Sequence, residues 1–385
     1  MPKTLVNILY EGYPIANYLF DKTMYEPGDK LLFVAQHQQK KEIGKLQRQL
    51  QVAQEDVRSI ILEYSGDEYV WDKMCRTIRK ELNKDEYYHV NLAGGTRFMA
   101  LSVQLVFSEF NSEFYYIPFG HNFIAHSKID NKNDDNDDEF IPITHRMTVN
   151  EFMSLRGIEM SEGAKPIKDA DYTRARFYRY VYEGMTAREK EILSILRQQY
   201  RKRKYVKFDE FVHPSNPKVD PIKDIRNYIK DIGFFTETPA QLNMEEIVYL
   251  TGGWFEELVY NWVKENVHPD DVVLTVHIAR PEATFQNELD VAFTKNNHLF
   301  VVECKTGISG EGMFHDIVYK VCALKEAHLG DACHSFIVSM IKDESEQLSK
   351  TAKNMGVIFG DYSKLASPNL RKRLLKEVDT LCHAK

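Results

Sequence analysis

The sequence has no Cys-x-x-Cys pair. Its five cysteines (Cys75, Cys304, Cys322, Cys333 and Cys382) are scattered through 385 residues. An odd count without ligand spacing excludes a disulfide framework and argues against a zinc site. No apolar run approaches the ~20 residues needed to span a bilayer. The opening MPKTLVNILYEGYP lacks the charged start and long apolar stretch of a secretory signal. Net positive charge is missing too: the formal charge is −7, so contact with nucleic acid has to come from local patches. These absences together imply a soluble, cytoplasmic protein with reduced thiols. The acidic run DNKNDDNDDE (130–139) lacks the central glycine and terminal glutamate of a calcium loop and reads as a solvated loop.

What is present falls into three stretches, expected at 1–146, 147–242 and 243–385. In the first, the strands TLVNILY (4–10), KLLFVA (30–35), VRSIILEY (57–64) and YYHVNLA (87–93) alternate with helical patterns at 38–51 and 67–82, with a further strand at 113–120. Such alternation predicts a parallel sheet covered on both faces. The middle stretch has capping-box spacing at Thr148/Glu151 and Thr186/Glu189 and reads as a small helical or winged-helix-like connector. Residues 174–207 hold eleven Lys and Arg against three Glu. The last stretch gives a helix start at Asn243/Glu246, an interruption at Gly252-Gly253 and a helix over 254–266. Strands follow at 272–278, 289–294 and 298–305, then a helix near 311–328 and strands at 335–340 and 356–360.

The chemistry concentrates in NELDVAFTKNNHLFVVECKTG (287–307). With Asn296-Asn297 at the centre of a hairpin turn, paired residues have numbers summing to 593. Asp290 then opposes Glu303, and Glu288 opposes Lys305. Side-chain alternation places Leu289, Val291 and Phe293 with Phe300, Val302 and Cys304 on an apolar face. Glu288, Asp290 and Ala292 with Val301, Glu303 and Lys305 occupy the other. Like charges directly opposed on a sheet destabilise it. A divalent cation between the carboxylates removes that cost, and an all-oxygen ligand set selects Mg²⁺ or Mn²⁺. Glu256, on the preceding helix, is a further candidate ligand. The same residue types also serve as plain ion pairs on a polar hairpin face. Gly253-Trp254-Phe255-Glu256, Asp290 and Glu303-Cys304-Lys305 resemble the PD-(D/E)XK nuclease pattern, with Leu289 where that pattern often has proline. The resemblance implies a restriction-endonuclease-like α/β domain cleaving phosphodiesters with metal, with Asp290, Glu303, Lys305 and Glu256 at its catalytic positions and Asp290, Glu303 and Glu256 as metal ligands.

Asn91-Leu92-Ala93-Gly94-Gly95-Thr96-Arg97 joins the fourth strand to a helix. It is neither a P-loop nor a dinucleotide fingerprint. Glycines there serve either a tight strand–helix turn or a close backbone approach to a phosphate at a helix N-terminus. Its place at the carboxyl end of a Rossmann-like sheet, near Tyr10, Glu11, Gly12, Gln36 and His37, favours a ligand crevice. The arrangement resembles the CRISPR-associated Rossmann-fold (CARF) sensor, often Asn-x-Thr-Gly-Gly-Thr-Lys here, with Ala93 and Arg97 at the Thr and Lys places. Sensor, connector and nuclease in this order resemble the CRISPR ancillary nucleases of type III systems. That implies a homodimer binding a cyclic oligoadenylate, usually cyclic tetra-adenylate, and cutting single-stranded DNA or RNA or nicking supercoiled DNA. A ligand-controlled DNA-binding regulator is the alternative that the basic 174–207 stretch keeps open.

Overall fold

The structure, a computed structural model, describes residues 2–10, 14–62, 70–118, 120–127, 138–211, 221–280, 285–306, 311–324, 329–330, 333–340, 350, 352–361, 375–380 and 382. The expected sites Glu11 and Gly12 and most of the acidic run therefore lie outside the described residues.

The N-terminal unit runs β1 (Thr4–Leu9), α1 (Pro14–Met24), β2 (Lys30–Gln36), α2 (Lys40–Leu50), β3 (Val57–Leu62), α3 (Trp71–Lys80), β4 (Tyr88–Asn91), α4 (Arg97–Phe107) and β5 (Ser112–Tyr116). Its strands are parallel in the order β3-β2-β1-β4-β5, the doubly wound arrangement that strand–helix alternation predicts. Two further strands, β6 (Phe123–Ser127) and β7 (Asp138–Pro142), extend the edge antiparallel. They went unforeseen because both are short and β7 begins in the acidic run. Strand residues alternate between two cores. Val6 and Ile8 pack with Met74, Ile78 and Val103 on one side, while Leu5 and Leu9 pack on the other.

The chain continues through α5 (Val149–Leu155), β8 (Glu159–Met160), α6 (Ala170–Tyr178), α7 (Ala187–Ile195), β9 (Tyr205–Lys207), α8 (Pro221–Asp231) and β10 (Gln241–Asn243). The capping boxes form at Thr148, at Thr186 and at Asn243, which starts α9 (Met244–Val248). Gly252 leaves helical geometry before α10 (Trp254–Asn266). Then come β11 (Asp271–Arg280), β12 (Phe285–Lys295), β13 (His298–Lys305), α11 (Glu311–Leu324), β14 (Cys333–Ser339) and β15 (Val357–Asp361). This second sheet has the order β15-β14-β13-β12-β11-β8. Its edge strand β8 comes from the middle stretch, which is thus woven into the nuclease sheet as well as linking it. Among the described residues no helix is long and apolar enough to cross a membrane.

The two sheets are bolted together. One core contains Leu5 and Phe33 of the first sheet, Phe152 and Met153 of α5, and Val276 and Leu299 of the second. The tip of the β12–β13 hairpin plugs into the first unit. Asn296 and Asn297 both have positive φ, 49° and 62°, the geometry of a tight primed turn. Asn297 donates to Asn122 at 2.7 Å and accepts from the Met147 amide at 2.9 Å. Asn122 in turn donates to the Asn296 carbonyl at 3.1 Å. Replacing Asn297 by Ala forfeits these bonds, leaves the buried Met147 N–H unpaired and places a β-carbon at positive φ. We expect a loss of roughly 2–4 kcal/mol, read as a lower denaturation midpoint, with Asn297→Gly less damaging because it keeps the turn geometry.

Candidate active site and sensor crevice

The hairpin register is the expected one from Lys295–His298 to Val291–Val302, where the ladder ends. Past that point Asp290 turns its carboxylate onto the Cys304 amide, which donates to it at 2.6 Å. Pairing on the other side is interrupted too: β11 and β12 pair at Leu274–Val291 and again at Val276–Leu289, skipping Thr275 and Asp290. Thr275 has φ of 44°, a left-handed conformation that a β-branched residue adopts only under strain of about 1–3 kcal/mol. Both strands change face there. Val291 packs in one core and Leu289 in the other. This corrects the single apolar face expected for Leu289, Val291 and Phe293, and the cause is the local twist at Thr275 and Asp290.

The twist gathers carboxylates. Glu256 sits in the first turn of α10 and accepts a hydrogen bond from the Thr275 hydroxyl at 3.1 Å. Oxygens of Glu256, Glu288 and Asp290 all lie within 4.8 Å of one another. Glu303, expected in that group, stands slightly apart: its carboxylate is 2.7 Å from Lys305 Nζ and 3.6 Å from Lys320 Nζ. Lys305 was expected opposite Glu288. Because the strands diverge, it instead meets Glu303 and, at 3.5 Å, Asp290, while Glu288 lies 3.7 Å from His277. Sequence reasoning therefore missed Glu288 as a member of the carboxylate group, although its two-residue spacing from Asp290 was the available signal. Thr275 and Lys320 gave no such signal.

Burial dominates the electrostatics. Asp290 is pushed up to about 8, first by desolvation and then by Glu303 and Glu256, against the pull of Lys305. Glu256 is raised, mostly by burial and further by Glu288, although the Thr275 hydrogen bond opposes this. For Lys305, burial works against the charge, but Asp290 and Glu303 outweigh it and its pKa rises. Lys305 is thus a fixed cation at neutral pH, suited to stabilising developing negative charge and unsuited to accepting a proton. A carboxyl raised by burial and then by like charges, grouped with two further carboxylates, fits a hard divalent cation.

At the sensor end, β1 and β4 are neighbours, so Tyr10 and the Gly94-Gly95 turn share one sheet edge, where the strand order reverses. The turn is crowded from below. A β-carbon at Gly94 would fall 2.0 Å from the Ile8 carbonyl oxygen, and one at Gly95, whose φ is 78°, would fall 2.3 Å from the Ile8 side chain. Packing on β1 alone therefore demands both glycines. Thr96 caps α4, accepting from the Met99 amide, and Arg97 is exposed. The structure places Asn91 beneath the turn, fully buried, instead of in the crevice. It accepts from the Ala93 amide and donates to Asn17 and Asn7, while Asn7 holds both oxygens of buried Asp21. Gln36 is buried as well and His37 is exposed. Tyr10 lines a cavity of about 1030 Å³ with Lys41, Lys45 and Arg48 of α2, and with Arg280 of β11. The glycine turn is not part of that cavity's wall.

Residues 4–152 match the family model of the Card1 CARF domain, and residues 243–379 that of the Card1-like endonuclease domain. The chain is a CARF sensor joined to a nuclease domain, the make-up of CRISPR ancillary nucleases. More particularly, its two domains belong to the Card1 CARF and Card1-like endonuclease families. No curated protein matches it in sequence. In three dimensions it is similar to protein VC1899 from Vibrio cholerae, with a TM-score of 0.75 at 16% identity and 98% of each chain covered. It is also similar to Can2 from Sulfobacillus thermosulfidooxidans in complex with cyclic tetra-adenylate, with a TM-score of 0.72 at 15% identity over 99% of each chain. A type III CRISPR defence DNA nuclease activated by cyclic oligoadenylate gives a TM-score of 0.50 at 15% identity, covering 96% of this chain and 52% of that one.

The raised Asp290 carboxyl sets a proton-linked expectation. Without a cation the folded state holds this proton more tightly than the unfolded chain. Stability is therefore fully present below the ordinary carboxyl pKa and is lost as pH climbs from there through about 8. Binding of Mn²⁺ should release a proton at neutral pH and tighten as pH rises toward that value. Calorimetry in buffers of different ionisation enthalpy reads the release, which Asp290→Asn should abolish.

Proposed function

We propose that this protein is a metal-dependent nuclease switched on by a cyclic oligoadenylate, cyclic tetra-adenylate first among them, that cuts single-stranded DNA or RNA in type III CRISPR defence. The observation that carries this reading is the convergence of Glu256, Glu288 and Asp290 beside the Lys305 cation in a Card1-like endonuclease domain. The solved complex of the similarly folded Can2 with cyclic tetra-adenylate supports the choice of activator.

In this reading Asp290 and Glu256 hold Mg²⁺ or Mn²⁺ with Glu288, and Glu303 joins them or stays with Lys305. The cation supplies polarisation of the phosphodiester and acidification of a water. The chain's own residues do the rest. Cys304's amide fixes Asp290, and Thr275's hydroxyl fixes Glu256. Lys305, anchored by Glu303 and by the Cys304 carbonyl at 3.2 Å, presents a permanent positive charge to the phosphate as negative charge builds up. The sensor acts as a homodimer. Leu101 and Leu105 stand one turn apart on α4 and are largely exposed, an apolar stripe that a second copy would cover.

The regulator alternative draws less support, since three arginines of the basic stretch are tied into ion pairs within the fold. Arg174 pairs with Asp171 and Glu265, Arg179 with Glu189, and Arg188 with Asp224.

The decisive assay crosses Mn²⁺, Mg²⁺ and no metal with cyclic oligoadenylates of different ring size, on labelled single-stranded DNA and RNA. Cleavage should require both metal and ring, and its absence in every combination would sink the reading. Asp290→Asn and Lys305→Ala should each lower the rate at least ~10²-fold with ring binding intact. In light scattering, the double change Leu101→Glu with Leu105→Glu should turn the dimer into a monomer.

A further inference from the structure

A second site adjoins the carboxylates. A cavity of about 320 Å³ lies between the connector helices and the start of α10, within the size range of small-ligand pockets. Among the described residues its charged lining is Arg176, Arg179, Lys190 and Arg197 against Glu189 alone. Glu189 is already engaged by Arg179 at 2.8 Å and by the Thr186 cap. In a chain of net charge −7 this is a strong local excess of positive charge. Arg176 is the built element. Its guanidinium lies 5.2 Å from the centre of the Trp254 ring and donates to Tyr228 at 3.2 Å and to the Leu250 carbonyl at 3.1 Å. Its Nη1 is buried without a well-formed hydrogen bond, and the Tyr172 hydroxyl, also buried, interacts with the guanidinium. A guanidinium held this way at the wall of a cavity lined by three further cations suits an anion. The remaining wall offers Tyr180 and Leu193, while the Trp254 ring, which also borders it, is buried beneath the Arg176 guanidinium.

The cavity also has an address. Thr306, which follows Lys305 directly, forms part of its wall, as does Trp254, two residues before Glu256. None of the clustered carboxylates lines the cavity itself, but Thr306 brings its wall to the residue next to Lys305.

We infer that this cavity is a nucleotide subsite for the substrate strand. Arg176 and its neighbouring cations take a backbone phosphate next to the one being cut, and Tyr180 offers a ring to the attached base. This rests on the nuclease reading above and adds which residues grip the strand. The mixture of stacking surface with basic groups is what single-strand binding without sequence preference needs.

The test is fluorescence anisotropy of a labelled oligothymidylate and a labelled oligouridylate in EDTA, with cyclic tetra-adenylate present and the salt varied. EDTA separates binding from cleavage. Lys190→Glu, at an exposed position, should weaken binding about tenfold and make the log–log salt slope shallower by about one. Arg176→Met should weaken it at least as much. In cleavage, Lys190→Glu should raise KM far more than it lowers kcat. An affinity and salt slope for Lys190→Glu within twofold of the parent protein would overturn the subsite, whether or not Arg176→Met folds. That outcome, alongside cleavage lost in Asp290→Asn, would leave the nuclease reading standing. A parent protein that binds the strand but never cuts it would remove the nuclease reading instead.

Discussion

Everything in the nuclease half is arranged around the cost of keeping carboxylates close together in a poorly hydrated place. Asp290 is 6% exposed and has Glu256 and Glu288 within a few ångströms. Lys305 offsets part of the repulsion but is drawn more closely to Glu303. The protein tolerates the remainder in two ways: Asp290 keeps its proton, and Thr275 accepts a strained backbone to bring its hydroxyl to Glu256. Strain and a displaced pKa at the same few residues mark a site built for a partner that the protein chain does not provide.

The same hairpin ties the two units together mechanically. One end of β12 and β13 holds Asp290 and Glu303. The other end, at Asn296 and Asn297, is fastened to Asn122 and Met147 of the sensor unit. Thr294 adds a bond from its hydroxyl to the Met147 carbonyl, and Asp271 accepts from the Val149 amide. A shift of the sensor sheet thus acts on a rigid two-stranded lever whose far end carries the chemistry. Coupling of this kind would require a ligand to distinguish two arrangements of the joint, at which α5 packs between both sheets.

Much of this was legible in the sequence. The alternation of strands and helices, three capping boxes and the Asn-Asn turn are local signals, set by neighbours a few residues away. They gave the sheet of the first unit, the helix starts and a hairpin register that holds as far as Val291–Val302. What could not be read depends on distant packing. The change of face at Asp290 needs β11 beside it, so Leu289 was assigned to the wrong layer and Lys305 to the wrong neighbour. Glu288 was visible as a charged strand residue, but its approach to Glu256 depends on how α10 crosses the sheet. At the sensor, Asn91 and the glycines were recognised as unusual. Only the crowding against Ile8 and the network to Asn17 and Asn7 show that their first duty is to hold the turn.

The margin of the nuclease sheet beyond β11 is β8, with two residue pairs, Met160 with Ile278 and Glu159 with Ala279. Releasing so brief a pairing costs on the order of 1–3 kcal/mol, the size of a typical coupling energy between sites. The connector's strand pairing with the sheet is therefore closer to a latch than a seam, and the core its helices share with α10 keeps the two together when that latch opens.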